Sequence, residues 1–443
     1  MYRELVRALE EDIRDGVLKP GDRLPTHRQL AAALDLARGT VARAYDEAAR
    51  LGLVESGVGQ GTFVSHSLEV QARHEAEATE IDFGIGYPIH EVEPDPAPVL
   101  QSLAGDRQRF DVLRYPQPEG RREHRAAGAR WCRRFGVEVD DDDVLLALGG
   151  QHAIYTWLAA TFERGQTLLV GEYTYRMAAT AAQSLGIVVR GVAMDGEGLR
   201  IDALREAIDE TGARGLYVMP TVQNPTGVTM SRARREALAE VVREHRLRVL
   251  EDDIHGPLAD DPPPPLKTLE PTQVTYLASL SKSVAGGLRI AYVAPPRHDR
   301  PRLLTSVVAS VWSPPPLTAE IARRWIDDGT AERVVEAKRR EAAVRIDLLR
   351  RHLEPTDARL WLGGYYGWLE MPPDWSASTF ARAARRRDVI VIPAEVFYVG
   401  AGRPMEAVRV AVGGTSRARV EEGARRLAEI LTGPPPVIVE PIL

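Results

Sequence analysis

The chain has 443 residues, 44% of them hydrophobic, a formal net charge of −6 and one cysteine, Cys132. That length predicts two or three units around sizeable cores. The acidic balance excludes a global pull on nucleic acid, and one cysteine excludes an internal disulfide or a cysteine-based zinc cluster.

No apolar run reaches membrane-spanning length, and the opening Met1-Tyr2-Arg3-Glu4 lacks a signal-peptide pattern. A cytoplasmic protein is expected. In residues 1–65, Leu5, Leu9 and Ile13 recur at helical spacing from Tyr2 to Asp15. Thr26 is placed to cap a short helix reaching Leu34, and a third helix is predicted from Arg38 to Leu51, stopped by Gly52. Two short strands, Val54–Ser56 and Thr62–Val64, flank a glycine turn. Helix, short helix, turn, helix and two-stranded wing describe a winged helix-turn-helix. The wording Leu18-Lys19-Pro20-Gly21-Asp22-Arg23-Leu24-Pro25, Arg38-Gly39-Thr40-Val41-Ala42-Arg43-Ala44-Tyr45 and Gly59-Gln60-Gly61-Thr62-Phe63-Val64 resembles the GntR family. In such a module the third helix enters the major groove, which assigns Arg38, Gly39, Thr40 and Arg43 to base edges; Arg28, Gln60 and Thr62 are assigned to phosphate or the minor groove. The acidic Glu10, Glu11, Asp12 and Asp15 are expected on the face away from DNA.

Residues 66–80 read as a linker and 81–433 as the second domain. Ile81–Pro88 is a strand and loop, and Tyr115-Pro116-Gln117-Pro118-Glu119-Gly120 precedes a helix from Arg121 to Arg134. Strand Leu145–Leu148 runs into Gly149-Gly150-Gln151 and a helix to Phe162; a glycine turn opening a helix offers free N–H groups to a phosphate. His152 is placed to cap that helix, to face a ligand or to pack in the core. Strand Thr167–Val170 leads to Tyr173 and Tyr175, strand Gly215–Pro220 to Asn224-Pro225-Thr226-Gly227, and strand Arg248–Leu250 to Glu251-Asp252-Asp253-Ile254-His255.

The stretch Ser279-Leu280-Ser281-Lys282-Ser283-Val284-Ala285-Gly286-Gly287-Leu288-Arg289 lies between two strand-like runs. Small hydroxyl residues and glycines let an anion approach, Arg289 offers a planar fork for a phosphate, and Lys282 is an amine that forms a Schiff base with an aldehyde. A phosphate-bearing aldehyde describes pyridoxal 5′-phosphate. Asn224, Asp252, Lys282 and Arg289 follow in the order of the fold-type I enzymes of the aspartate aminotransferase superfamily, which this part of the chain resembles. The resemblance implies that Lys282 carries the cofactor while Ser279, Ser281, Arg289 and the Gly149-Gly150-Gln151 turn hold its phosphate. It implies that Asn224 donates to the ring oxygen and that an aspartate, Asp252 before Asp253, pairs with the ring nitrogen. Tyr175, with Tyr173 as rival, would stack on the ring, and Tyr115 would reach the neighbouring subunit's site. The family's tyrosine after the aspartate is absent; Ile254 and His255 stand there, with His255 as substitute donor. Asp252, Asp253 and His255 also admit a metal-binding reading.

From about Leu317 to Leu353 one long helix is predicted, leading to a small α+β subdomain, about 330–433, with strands at Gly363–Leu369, Val389–Pro393 and Val408–Val412. Arg409 holds the family's position for gripping a substrate carboxylate, and residues 434–443 are a tail. The whole chain resembles the MocR subfamily: a winged helix-turn-helix, mostly α, fused to an α/β fold-type I aminotransferase-like domain. The resemblance implies a homodimeric, DNA-binding regulator that senses pyridoxal phosphate and an amino acid or amine through an aldimine on Lys282. A working aminotransferase with a DNA-binding appendage and a repressor that uses the fold only as a dimerising scaffold are the other readings.

Overall fold

The structure, a computed structural model, describes residues 2–14, 18, 22–50, 53–57, 61–64, 80–106 and 110–433. The chain divides into two compact units, Met1–Thr79 and Glu80–Leu443.

In the first unit, helices α1 (Tyr2–Arg14), α2 (His27–Ala33) and α3 (Arg38–Arg50) precede strands β1 (Val54–Gly57) and β2 (Gly61–Val64), which pair antiparallel. Thr26 caps α2 with a reciprocal capping box: its hydroxyl accepts the Gln29 N–H at 3.3 Å and the Gln29 side chain accepts its N–H at 2.9 Å. Such a cap contributes about 1 kcal/mol. Val41, Ala44, Tyr45 and Ala48, spaced one helical turn apart on α3, are buried with Leu24, Ala31, Val54 and Val64. The Tyr45 hydroxyl donates to the Pro25 carbonyl at 2.8 Å, fixing α3 against the chain entering α2.

The second unit is built on a seven-stranded sheet. Its strands are β3 (Leu145–Ala147), β4 (Thr167–Gly171), β5 (Val188–Val192), β6 (Gly215–Val218), β7 (Arg248–Asp252), β8 (Val274–Ser279) and β9 (Ala291–Ala294), in the spatial order β3-β9-β8-β7-β6-β4-β5. Only β9 runs against the other six. Such strands are covered on both faces and read as nearly continuous apolar runs. Alternation still sorts them: Leu168, Val170, Tyr217 and Leu250 pack with Ile154 and Trp157 of helix α4 (Gly149–Thr161), whereas Leu169, Leu216, Val218 and Val249 pack with Leu238 and Val242 on the opposite face.

The stretch 317–353 is not one helix. A helix Pro316–Asp327 ends before Gly329, whose φ of +76° suits glycine, and α5 (Thr330–Leu353) starts afresh. A four-stranded antiparallel sheet follows, with β10 (Arg359–Gly363), β11 (Tyr366–Glu370), β12 (Ile392–Pro393) and β13 (Ala407–Ala411) in the order β10-β11-β13-β12. It packs against α5 and α6 (Arg417–Thr432) through Ile346, Leu349, Val420 and Leu427. The run Val389–Pro393 is divided: Ile392 and Pro393 join this sheet, while Val389 and Ile390 pair in parallel with Ile81 and Asp82. That pairing ties the start of the second unit to its end.

Candidate functional site: a cavity at the carboxyl edge of the sheet

A cavity of about 440 Å³ opens where β4, β6, β7 and β8 end, and its far wall comes from the small sheet and the Gly84–Gly86 backbone. Ligand sites of parallel sheets lie at this carboxyl edge. Lys282, in the short helix after β8, lines the cavity and donates from Nζ to the Gly86 carbonyl. Burial, then the positive charges of Arg409, Lys338 and Arg289, push its ammonium down to about 8, so that the neutral amine is far more accessible near neutrality than for an ordinary lysine. Its backbone is fixed from behind: Tyr365 donates to the Lys282 carbonyl at 2.9 Å, and the wholly buried Lys338 donates to the Val284 carbonyl at 2.9 Å.

Asp252 ends β7 on the α4 side, facing the cavity. Its Oδ2 accepts the Tyr217 hydroxyl at 2.7 Å and its Oδ1 the Ile254 N–H at 3.2 Å. Burial drives its carboxyl up to about 6, against the lowering effect of those two bonds. Asp253 takes the other face and accepts the Tyr276 hydroxyl at 2.7 Å, outside the cavity wall. The pair therefore does not converge with His255, and among the described residues no group of three His, Cys, Asp or Glu can hold a metal.

Arg409 on β13 reaches in from the small sheet, 6% exposed. It donates to Asn224 Oδ1 at 2.8 Å and to the Gly84 carbonyl, with its guanidinium carbon 4.5 Å from the Phe397 ring centroid and 5.3 Å from that of Tyr366. Its Nε is buried without a partner. Asn224 follows β6 in the loop that contains the cis Asn224–Pro225 bond. Tyr175 lines the cavity and its hydroxyl donates to Gln151 Oε1 at 3.1 Å. Tyr173 lies instead in an apolar cluster with Trp368 and Phe397, bridged to Tyr398, which separates the two candidate rings. His255 lines the cavity 3.2 Å from the Tyr366 hydroxyl, held neutral because burial, then Lys282 and Arg409, drive it down to about 3.

At one corner, Gly149 and Gly150 begin α4, whose free N–H groups and dipole favour an anion. Gly149 has φ +75°, and a Cβ there would lie 2.7 Å from Arg289 Nη2; a Cβ on Gly150 would lie 3.8 Å from Ser279 Oγ. Ser279 and Ser281 face each other with hydroxyls 3.0 Å apart. Among the described residues the Arg289 guanidinium has no hydrogen bond or ion pair. His152 turns out to be the cap: its Nδ1 accepts the Leu148 N–H at 3.0 Å, and its Nε2 is 2.8 Å from Ser310 Oγ.

Residues 79–427 match the model for class I and II aminotransferases, and residues 1–64 that for bacterial regulatory proteins of the gntR family. The chain belongs to the class I and II aminotransferase family. Its amino-terminal gntR module makes it a GntR-type regulator fused to an aminotransferase domain, the MocR architecture. It is similar to the uncharacterized HTH-type transcriptional regulator YdeF of Bacillus subtilis, 32% identical over 93% of this chain and 90% of that one. It is also similar to the 2-aminoadipate transaminase of Thermus thermophilus, 27% identical over 80% of this chain and 90% of that one. Among solved structures, the α-aminoadipate aminotransferase LysN of Thermus thermophilus, complexed with N-(5′-phosphopyridoxyl)-L-leucine, superposes with a TM-score of 0.72 at 26% identity, covering 82% of this chain and 94% of that one.

The cofactor of this family's domain is pyridoxal phosphate, and the residues present fit it. A buried amine that gives up its proton more readily than an ordinary lysine, a carboxylate at the base, an aromatic wall and a glycine-opened helix beside an arginine without a partner among the described residues are what an aldehyde, a ring nitrogen, a ring face and a phosphate require. The Gly84–Gly86 backbone lines the cavity, as the resemblance of Ile81–Pro88 to the domain's opening strand and loop implies. Two residues of the site were not legible beforehand: Tyr366 enters through strand pairing distant in sequence, and Lys338 carries no motif at all. Tyr115 is 92% exposed in the single chain, near the exposed Phe110 and Leu113.

In the first unit, Arg28, Arg38, Gly39 and Arg43 are exposed, the α3 residues among them lying off the face that carries Val41 and Tyr45; Thr40 and Thr62 are half-buried. Among the described residues the guanidiniums of Arg28, Arg38 and Arg43 have no internal partner. Gln60, Asp15 and the side chains of Glu10 and Glu11 lie outside the described residues, as do residues 65–79 and 434–443.

Proposed function

We propose that this regulator binds pyridoxal phosphate covalently through Lys282 and reads out an amino acid or amine that competes for the same carbon. What carries the reading is the convergence of Lys282, Asp252, Asn224, Tyr175 and Arg409 on one cavity in a chain that begins with a DNA-binding module. The bound cofactor supplies an aldehyde and an electron-accepting ring. Lys282 offers the neutral amine, Asp252 holds the ring nitrogen's proton, and Gly149, Gly150, Gln151, Ser279, Ser281 and Arg289 bind the phosphate. Arg409 takes the ligand's carboxylate with a bidentate fork once it releases Asn224 and the Gly84 carbonyl. The exposed Phe110, Leu113 and Tyr115 support a homodimer in which Tyr115 serves the other copy. Arg38, Gly39, Thr40 and Arg43 face the base edges of the major groove, and Arg28, Gln60 and Thr62 reach phosphate or the minor groove.

Titration of the full chain with a panel of amino acids and amines, followed by visible absorption, tests this. A cofactor band that shifts and persists is the expected result. A band that bleaches and returns on addition of a keto acid would instead identify a working aminotransferase, a reading favoured by the nearly complete set of cavity residues. A chain that takes up no cofactor would sink both.

A further inference from the structure

Ile254 and His255 stand where the family places a tyrosine after the strand aspartate; Ile254 has nothing to donate, and neither residue is a phenol. The cavity nevertheless contains a phenol, brought by the small sheet. Tyr366 opens β11, is 1% exposed, and sits with its hydroxyl 3.2 Å from His255 Nε2. Both side chains line the cavity. The hydroxyl also abuts Gly86, where a Cβ would come within 2.6 Å of it, and the carbonyl of that same glycine receives the Lys282 ammonium. Tyr366 Oη is thus on the lysine side of the cavity, while its ring face is turned to the Arg409 guanidinium.

Proton counting gives the pair a role. A neutral imidazole carries one N–H and a phenol one O–H, two donors in all. One of them is consumed between Tyr366 and His255, whichever way that bond points. Among the described residues the other donor has no partner: His255 Nδ1 is buried and unpartnered, and the bond to His255 is the only one there that the Tyr366 hydroxyl makes. A buried uncommitted donor costs free energy unless a ligand oxygen meets it. In pyridoxal phosphate the ring oxygen is ortho to the aldehyde carbon, the atom that Lys282 attacks. We propose, resting on the cofactor reading above, that Tyr366 and His255 act as one hydrogen-bonding unit that donates a single proton to that ring oxygen, alongside Asn224. The charged groups facing the pair are Lys282, Arg409 and Asp252.

A donor to an oxygen anion lowers that oxygen's affinity for a proton, so its loss raises the pH at which the bound cofactor's absorption changes. In Tyr366→Phe that midpoint should rise by about one unit, and pyridoxal phosphate should dissociate about tenfold more readily. His255→Gln should move the midpoint the same way, and combining the two should add little, because neighbours acting as one unit are not additive. Tyr276→Phe, which removes a buried phenol outside the cavity, should lower the melting temperature without moving the midpoint. An unchanged midpoint in Tyr366→Phe, or two shifts that add in full, overturns the proposal. Should Tyr366→Phe fail to fold, an unchanged midpoint in His255→Gln does so. A wild-type chain that takes up no cofactor removes the cofactor reading itself, and the proposal with it.

Discussion

Two faces of the same strand ends carry the same residues in opposite roles. Asp252 and Asp253 are adjacent, both buried, both accept a phenol at 2.7 Å, and both are pushed up to about 6 by burial. Lys282 and Lys338 are both buried and both pushed down to about 8. One member of each pair lines the cavity and the other anchors the core. A perturbed pKa therefore does not separate a site from a scaffold in this protein. What separates them is position: Asp252 and Lys282 border open space, whereas Lys338 spends its donors on the Val284 carbonyl and, 3.6 Å away, on Glu93.

The largest expected contrast lies between the lysines. Borohydride reduction of cofactor-treated protein should add a pyridoxyl group in the wild type and none in Lys282→Ala, whose melting temperature should change little. Lys338→Met should retain the adduct but lose roughly 2 kcal/mol of stability, because Glu93 and two carbonyls are left without their cation. Adduct formation that survives Lys282→Ala would break the comparison.

Acid titration sharpens it on the carboxylate side. Glu251 lies on the Asp253 face, and burial followed by the neighbouring Asp253 charge raises its carboxyl. A raised folded pKa means that the folded state holds the proton more tightly. Its stabilising contribution is complete below the ordinary carboxylate range, near 4, and is lost as pH rises toward neutrality. The wild type minus Glu251→Gln difference in unfolding free energy should therefore fall from pH 4.5 to pH 8, on the order of 1–2 kcal/mol by urea melts. A flat difference would place the carboxyl in solvent, and one that rises would mean that the Leu266 and Lys267 N–H groups and Arg235 stabilise its charge more than burial opposes it.

The smallest effect applies the same criterion to the surface. Arg43 is exposed on α3 without a partner among the described residues, so Arg43→Ala should leave the fold intact. On a duplex containing the operator, or failing that a random duplex, it should weaken binding a few-fold and reduce the slope of log K against log salt by roughly 0.9 if the contact is to phosphate. An unchanged slope with lost sequence preference would assign it to a base edge.

Much of this was legible in the sequence because the chemistry sits on short local motifs. Lys282, Arg289, Asn224 and Asp252 each follow a strand, and a parallel sheet delivers strand ends to one edge. Even the choice between Asp252 and Asp253 was available in principle: Asp252 has the parity of Leu250, which packs toward α4, while Asp253 has that of Glu251 and Val249. Tyr173 and Tyr175 share parity, so their separation needed the bridge to Tyr398. The sequence places Tyr366 only in a strand, because what makes it part of the site is a hairpin turning at Gly364, over a hundred residues from His255. The break at Gly329 was hidden by helix-forming residues on both sides.

The Gly84 and Gly86 carbonyls have one more consequence. They occupy Arg409 and Lys282, the two cations a ligand's carboxylate and the cofactor's aldehyde would claim, and they lie just past Glu80, where the second unit begins. Being part of the chain, they are competitors that never dilute away, present at an effective concentration set by the tether rather than by the solution. A ligand must exceed that standing occupancy before it registers, so the segment sets a threshold: traces of a weak carboxylate go unheard, and each ligand that does bind frees a stretch of backbone at the head of the domain.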